Sequence, residues 1–387
     1  MKKKVLFVID SLVCGGAEKS LVSLLPLLNR EKYELHLWIL HRGKVFESLL
    51  QPDVILENAA RYSFIEQFRF KLAHVCYSFV YRILLLTRKH EHTAETLWKC
   101  AGSTMKAPIG KYDVAIAYQQ GVPTYLVATK IKALKKIAWI NADIFAAGYN
   151  PDFNAKYYKK YNVIVPVSHK LESILKNNYR QYSFQYQCVY DIINGALIKL
   201  QTKEPIKEEV FFRKDIIIVT TGRMAAAKNY SLAVESAKVL QERGVDFDWF
   251  FIGDGEETPM IESQILRFGL HNNVHMLGER TNPYPYMANC TIYVQTSTFE
   301  GFGLTIAEAK ILGKPIVSTN FSVVHDQLIN EQTGLIADMT AESVADNIMR
   351  LLEDKQLRAR IVANLSNEKN ETYITEVKKV ESLLDAN

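Results

Sequence analysis

Cysteine is scarce in this chain, and what there is does not cluster. The five residues, Cys14, Cys76, Cys100, Cys188 and Cys290, form no CxxC pair and no metal-like group. That spacing argues against a disulfide framework and against structural zinc, and it favours a reducing compartment. Long apolar runs are also missing. The N-terminus is basic at Lys2-Lys3-Lys4, but the apolar run Val5 to Ile9 stops at Asp10. It is too short for a secretory core and reads as a first buried strand. The nine histidines show no HExxH or comparable ligand spacing. No nucleic-acid motif is found, nor any internal repeat or low-complexity tract. Gly253-Asp-Gly255 carries Thr258 where a dinucleotide fingerprint needs its third glycine, which disfavours a nicotinamide-dependent oxidoreductase.

What is present fits a two-domain α/β protein. A length of 387 residues, with 48% hydrophobic and 23% charged side chains, is that of a globular chain with room for two cores. Short apolar runs alternate with helical patterns throughout. Strands are expected at Val5–Ile9, Glu34–Leu40, Val114–Tyr118, Lys136–Ile140 and Val163–Val167, then at Ile216–Thr221, Phe247–Ile252, Val274–Met276, Ile292–Gln295 and Pro315–Ser318. Continuous apolar strands followed by helices indicate parallel sheets covered on both faces. The polar stretch Leu200–Lys214, with Pro205, is the expected linker. The expected architecture is therefore two doubly wound, Rossmann-like domains of similar size facing across a cleft, over residues 1–199 and 200–367, with a closing helical segment at 368–387. Ligands of such sheets bind outside the carboxyl ends of the strands.

Charge divides unevenly along the chain. Residues 1–200 hold 28 Lys/Arg against 15 Asp/Glu, whereas residues 201–387 hold 19 against 27. The first half is thus suited to an anionic surface, phospholipid headgroups or a phosphorylated acceptor rather than DNA. Within it, Arg61–His90 mixes Phe64, Phe68, Tyr77 and Phe79 with Arg69, Lys71, Arg82 and Arg88. Its uncharged run, Leu72 to Tyr81, is far shorter than the roughly 20 residues of a spanning helix. Two readings stand: an interfacial helix lying on a membrane, or a helical insertion whose basic stems cover apolar surface of the first domain.

The chemistry concentrates in the second half. Residues 300–308 read Glu-Gly-Phe-Gly-Leu-Thr-Ile-Ala-Glu, and Gly222, Arg223 and Lys228 lie upstream. A Gly-rich loop opening a helix aims unpaired N–H groups at a phosphate or a sugar hydroxyl. Arg223 and Lys228 supply the positive charge that a diphosphate leaving group requires. A carboxylate such as Glu308, in the second turn of that helix, can accept from both hydroxyls of a ribose. These are the parts of a site for a sugar joined to a nucleoside diphosphate.

Together with Thr221 to Asn229, Phe251 to Glu256 and Ser11 to Glu18, the Glu300–Ala309 stretch resembles the retaining glycosyltransferases of family 4, which have the GT-B fold; the resemblance spans about residues 4–340. It implies a nucleotide-sugar donor, expected to be UDP-linked, bound without metal or other cofactor. It places Glu300 by the reacting carbon, Glu308 on the ribose, and Arg223 and Lys228 on the diphosphate. Amides of Gly301, Phe302, Gly303 and Leu304 and the Thr305 hydroxyl complete the cradle, and the rim that carries Arg280 holds the base. Gly16 is expected to allow close approach of a first-domain loop, or else only a tight turn. Gly253 is expected to let the backbone approach the nucleotide. Many relatives carry a histidine at the position of Asn141, which cannot take up a proton here; Asn141 and Asp143 are acceptor-side candidates, with a helix cap the equal explanation for Asp143. Asp246-Phe-Asp248 resembles a metal motif of another transferase fold but opens a strand at the end away from the cleft. The resemblance also implies that the last helix crosses back to the first domain. It points to a saccharide acceptor, lipid-pyrophosphate-linked, and to a cytoplasmic enzyme peripheral to the membrane in bacterial surface polysaccharide synthesis. A nucleotide-sugar epimerase and a non-catalytic sugar-nucleotide module are the alternatives; a glycan phosphorylase lacks a pyridoxal-binding lysine context.

Overall fold

Val5, Leu6, Phe7, Val8 and Ile9 are all fully buried, as a strand covered on both faces requires. In the computed structural model, which describes residues 2–12, 15–43, 45–87, 91–367 and 372–386, this run lies at the centre of a six-stranded parallel sheet. Its strands are β1 (Lys3–Ser11), β2 (Tyr33–His41), β3 (Ile55–Glu57), β4 (Lys111–Ala117), β5 (Lys132–Ile140) and β6 (Val163–Pro166), in the order β3-β2-β1-β4-β5-β6. A second six-stranded parallel sheet contains β7 (Ile217–Thr221), β8 (Asp248–Ile252), β9 (Val274–Gly278), β10 (Ile292–Gln295), β11 (Ile316–Thr319) and β12 (Leu335–Ala337), ordered β12-β11-β10-β7-β8-β9. Counted from its own first strand, each sheet has the doubly wound order 3-2-1-4-5-6. Every expected strand is present. The two not foreseen, β3 and β12, are three-residue edge strands, too short for an apolar run to mark. Cys14, the end of the basic-aromatic stretch at 88–90 and the start of the closing segment at 368–371 lie outside the described residues.

The chain divides into two compact units, Met1–Ile192 with Ile374–Asn387, and Ile193–Tyr373. The division falls before residue 199, and Leu200–Lys214 is not a linker. Ile198 and the fully buried Phe211 belong to the second core, where Phe211 lies 4.7 Å, ring to ring, from Phe250. Arg213 and Lys214 are tied to Asp248 at 2.8 and 3.6 Å. Phe211, with Ile206 and Val210 packed against the same core, thus holds that stretch to the second unit, and Arg213 and Lys214 pair with the buried Asp248. The final helix, Thr372–Asp385, packs in the first unit. Glu376 accepts from the Tyr190 N–H at 2.8 Å, the Tyr33 hydroxyl donates to Asp385 at 2.9 Å, and Val380, Leu383 and Leu384 are buried.

Asp191, just before the chain leaves the first unit, is an unusual core neighbour. Its Oδ1 is shut off from solvent with no hydrogen-bond partner among the described residues. Burial pushes its carboxyl up to about 7, the Ser20 hydroxyl pulling the other way. The folded chain therefore holds this proton more tightly than the unfolded chain, whose aspartates titrate near 4. The cost of ionising it grows from about pH 4 to about 7 and is constant above that. Asp191→Asn removes that cost. In denaturant titrations the stability gap in favour of the variant should widen from about pH 4 to 7 and then level; a gap that does not change with pH contradicts the assignment.

Candidate active site

The site residues of the second unit gather where its strands end. After β7 come Gly222 and Arg223, a single 3-10 turn (Ala226–Lys228), and Asn229 in the left-handed region at φ 48°, from which the helix Tyr230–Glu242 starts. After β10 the chain runs through Ser297 and Glu300 to Gly303, whose φ of 86° opens the helix Leu304–Ile311. β7 and β10 are hydrogen-bonded neighbours, yet their onward connections lead to opposite halves of the sheet. This is the topological switch point of a doubly wound sheet. Here the two loops are stitched together: Thr298 N–H donates to the Ala227 carbonyl at 2.8 Å, and the Thr296 hydroxyl to the Lys228 carbonyl at 3.1 Å.

An ion pair sits on that seam. Lys228 Nζ lies 2.5 Å from Glu300 Oε1, with only 22% and 14% of the two side chains exposed. The same oxygen accepts from Gln295 Nε2 and from the Ser297 hydroxyl, both at 2.7 Å. Gln295 Oε1 in turn accepts from Thr305 at 2.5 Å, and Thr319 donates to the Ser297 carbonyl at 2.6 Å. None of these bonds uses Glu300 Oε2. The network fixes one carboxylate oxygen and leaves the carboxylate plane, and hence the other oxygen, in a defined direction. Gln295 and Ser297 were not singled out from sequence. The available signal was a polar pair closing an otherwise apolar strand at the expected ligand end.

Arg223 is largely exposed and pairs with Glu256 at 3.0 Å. An exposed pair of this kind is weak, so the guanidinium can exchange its partner for an incoming oxyanion at little cost. Glu308 has no exposed surface, and the Tyr284 hydroxyl donates to its Oε1 at 2.9 Å. Gly301 and Phe302 form the bend before the helix, and Leu304 is its first residue, with Ile306 N–H returning to the Gly303 carbonyl at 3.0 Å. Arg280, past the end of β9, is bound to Glu208 at 2.8 Å, whose other oxygen accepts from the Tyr286 hydroxyl at 2.5 Å.

The fold itself requires a glycine at position 253. At φ 148°, its added Cβ would run into the Gly222 carbonyl, and one at Gly255 would run into the Met224 carbonyl. The loops after β7 and β8 therefore pack backbone to backbone, with Met224 N–H donating to the Asp254 carbonyl at 3.0 Å. Thr258 closes the same turn by donating to Asp254 at 2.6 Å; that bond and the Gly255 N–H hold the Asp254 carboxyl below its usual range.

In the first unit, Gly16 begins the helix Gly16–Leu24 with Gly15 as its cap, and a side chain at Gly15 would collide with the Glu18 carboxylate. Asn141 follows β5; its Nδ2 donates to the Tyr118 carbonyl at 2.7 Å, and its Oδ1 is buried without a partner among the described residues. Asp143 accepts from Phe145 and Ala146 N–H at 3.0 and 3.1 Å, so it caps a turn. Asp248 opens β8, at the opposite edge from the switch-point loops, and is bound by Arg213, His275 and Lys214. One grouping was not visible in the spacing: ligand atoms of His169, Glu172 and Cys188 lie within 4.8 Å of one another. Lys176, at 2.7 Å, already occupies the Glu172 carboxylate.

The chain is similar to several known proteins. A Campylobacter jejuni N-acetylgalactosamine-N,N'-diacetylbacillosaminyl-diphospho-undecaprenol 4-alpha-N-acetylgalactosaminyltransferase is 25% identical over 353 residues, 90% of each chain. An uncharacterized glycosyltransferase of Methanocaldococcus jannaschii is 24% identical over 168 residues, so that the match spans only 43% of this chain and 41% of that one. The crystal structure of Anabaena HepE in complex with UDP-glucose superposes with a TM-score of 0.73 at 17% identity, covering 99% of both chains, which supports the GT-B fold. Residues 201–367, which carry the whole switch-point network, match the family of glycosyl transferases group 1, and this segment of the chain is a domain of that family.

Proposed function

We propose that the protein is a retaining glycosyltransferase that moves a sugar from a UDP-linked donor to a hydroxyl of a lipid-linked saccharide in surface polysaccharide synthesis. The observation that carries this reading is the Lys228–Glu300 pair at the switch point, with Arg223 exposed beside the same loop. The donor diphosphate takes its charge compensation from Lys228 and Arg223, with the first N–H groups of the helix Leu304–Ile311 as further donors. The ribose hydroxyls go to Glu308, which exchanges its Tyr284 contact for them. Glu300, held through Oε1, turns Oε2 to the sugar hydroxyls and to positive charge growing at the anomeric carbon.

The acceptor hydroxyl attacks the anomeric carbon from the face that the diphosphate leaves. A new carbon–oxygen bond forms as the bond to phosphate breaks, and the hydroxyl proton passes to the departing phosphate oxygen. Configuration is retained, and no group of the chain has to act as base, in keeping with an asparagine at position 141. Fixed cations at the leaving oxygen are worth about 3–4 kcal/mol at comparable preorganised sites. The cradle needs no metal to balance the diphosphate. The match to a diphospho-undecaprenol-dependent relative and the basic first half support an acceptor on the inner face of a membrane, with the enzyme peripheral to it.

Two outcomes test the reading. UDP at a hundred times its dissociation constant should add about 2.7 kcal/mol of apparent stability. Arg223→Ala should abolish most of that thermal shift while leaving the protein without UDP unchanged, since its exposed pair contributes little. An unchanged UDP shift places the diphosphate elsewhere. Product formed from UDP-sugar with no acceptor would mark an epimerase, and binding without any turnover a non-catalytic module.

The ion pair yields a second test. Lys228→Ala strands a mostly buried carboxylate and should lower the melting temperature, by about 2–4 °C for each kcal/mol lost in a domain of this size. Adding Glu300→Gln removes that stranded charge and should recover part of the loss without restoring turnover. Additive destabilisation in the double variant would show that the pair is not coupled.

A further inference from the structure

A cavity of about 1030 Å3 lies away from the switch-point site, in the first unit. It is lined by Lys111 and Lys132, the first residues of β4 and β5, so it opens at the amino edge of the sheet. With β4 rising about 3.3 Å per residue, that edge is roughly 20 Å from the strand ends near Gly16 and Asn141. Five cations face the cavity: Arg69, Lys106, Lys111, Lys130 and Lys132. Only Glu66 lines it with the opposite charge, and its bond to Lys106 at 2.7 Å leaves the other four without a carboxylate partner among the described residues. Leu72, Ala73, Met105 and Pro108 supply an apolar wall. A built hollow with four uncompensated cations and an apolar side fits a phosphate joined to hydrocarbon better than it fits a free sugar.

The wall residue Leu72 continues into a second feature. The helix Phe64–Thr87 turns Phe64, Ile65, Phe68, Leu72, Val75 and Phe79 to solvent, each between 58% and 86% exposed. From Ile65 onward the spacing alternates three and four residues, so these side chains form one stripe. The opposite face, with Phe70 and His74, turns inward toward Tyr62 and the helix Thr93–Ala101. Ile109, at the cavity rim, is 91% exposed. An apolar stripe of this size marks an interaction surface. No described helix is long and apolar enough to cross a bilayer. A stripe flanked by cations lies along a bilayer surface, its apolar face in the acyl boundary.

We propose that the cavity receives the phosphate headgroup of an anionic membrane phospholipid while the helix stripe inserts beside it. This deepens the membrane-surface part of the proposed function and rests on it, but it is independent of the donor site. Near an anionic surface each lysine contributes about fivefold in affinity, so three contribute on the order of 100-fold.

The full chain is sedimented, without sugar donor, with vesicles of phosphatidylcholine alone or mixed with phosphatidylglycerol. Binding should require the anionic lipid. Lys111→Gln/Lys130→Gln/Lys132→Gln should weaken it by on the order of 100-fold, whereas Lys156→Gln/Lys170→Gln/Lys203→Gln, on exposed lysines outside the cavity, should weaken it far less. Phe68→Gln/Val75→Gln/Phe79→Gln, all outside the cavity lining, should abolish retention on vesicles. Soluble dihexanoyl phosphatidylglycerol should raise the melting temperature of the stripe variant but not of the cavity variant, and inorganic phosphate should do so only weakly. Equal losses in the two lysine variants would reduce the effect to diffuse charge and overturn the proposal. So would equal binding to neutral vesicles, or a chain that ignores vesicles and self-associates through the stripe. The UDP thermal shift is measured separately, so either reading can fail alone.

Discussion

One ion pair at a topological crossing organises the second domain. The loops after β7 and β10 part toward opposite halves of the sheet, and Lys228 and Glu300 close the gap between them. A cation and a carboxylate at 2.5 Å, both mostly removed from water, need further donors to offset their desolvation. Gln295 and Ser297 supply them, on the carboxylate oxygen that faces the lysine. The pair therefore serves geometry before chemistry. It sets the height of the Glu300 loop over the sheet, and with it the start of the helix that carries Glu308.

Backbone packing supports the same edge from the other side. The loops after β7 and β8 meet carbonyl against glycine, at Gly222 with Gly253 and at Met224 with Gly255. Any side chain at Gly253 or Gly255 would separate the two loops and move Arg223 with them. The glycines that resemble a nucleotide motif are thus required by the scaffold as well as being suited to a ligand. Tyr230 adds a third tie, its hydroxyl donating to the Gly222 carbonyl at 2.9 Å.

Much of this was legible in the sequence because the strands are apolar runs with turn signals at their ends. Ten of the twelve strands of the two sheets could be read this way; β3 and β12 could not, since three residues give no period and an edge strand has one side to cover. The charged residues of the site stood out because Arg223, Lys228, Glu300 and Glu308 occur at fixed distances around strand ends. Gln295 and Ser297 escaped notice, being neutral and placed at the close of a strand where polar residues are ordinary. Leu200–Lys214 misled for the opposite reason: its charges outnumber its apolar residues, yet Phe211 is fully buried in the core with Ile206 and Val210 packed against it. The basic cavity was invisible in principle, because its walls come from residues 60–76, 103–111 and 130–132, which only the fold brings together.

The position of the last helix has a consequence for how the chain is made. Val380, Leu383 and Leu384 complete the interior of the first unit, and Lys3 and Tyr33 bind the end of that helix. Those residues leave the ribosome only after the whole of the second unit. The amino-terminal lobe must therefore persist with part of its interior open while the whole intervening lobe is synthesised, and it is the lobe with long-separated contacts that locks late. A nascent chain of this protein would display its basic, apolar-striped first lobe well before that lobe reached full rigidity, and the helix Thr372–Asp385 acts as its late fastener.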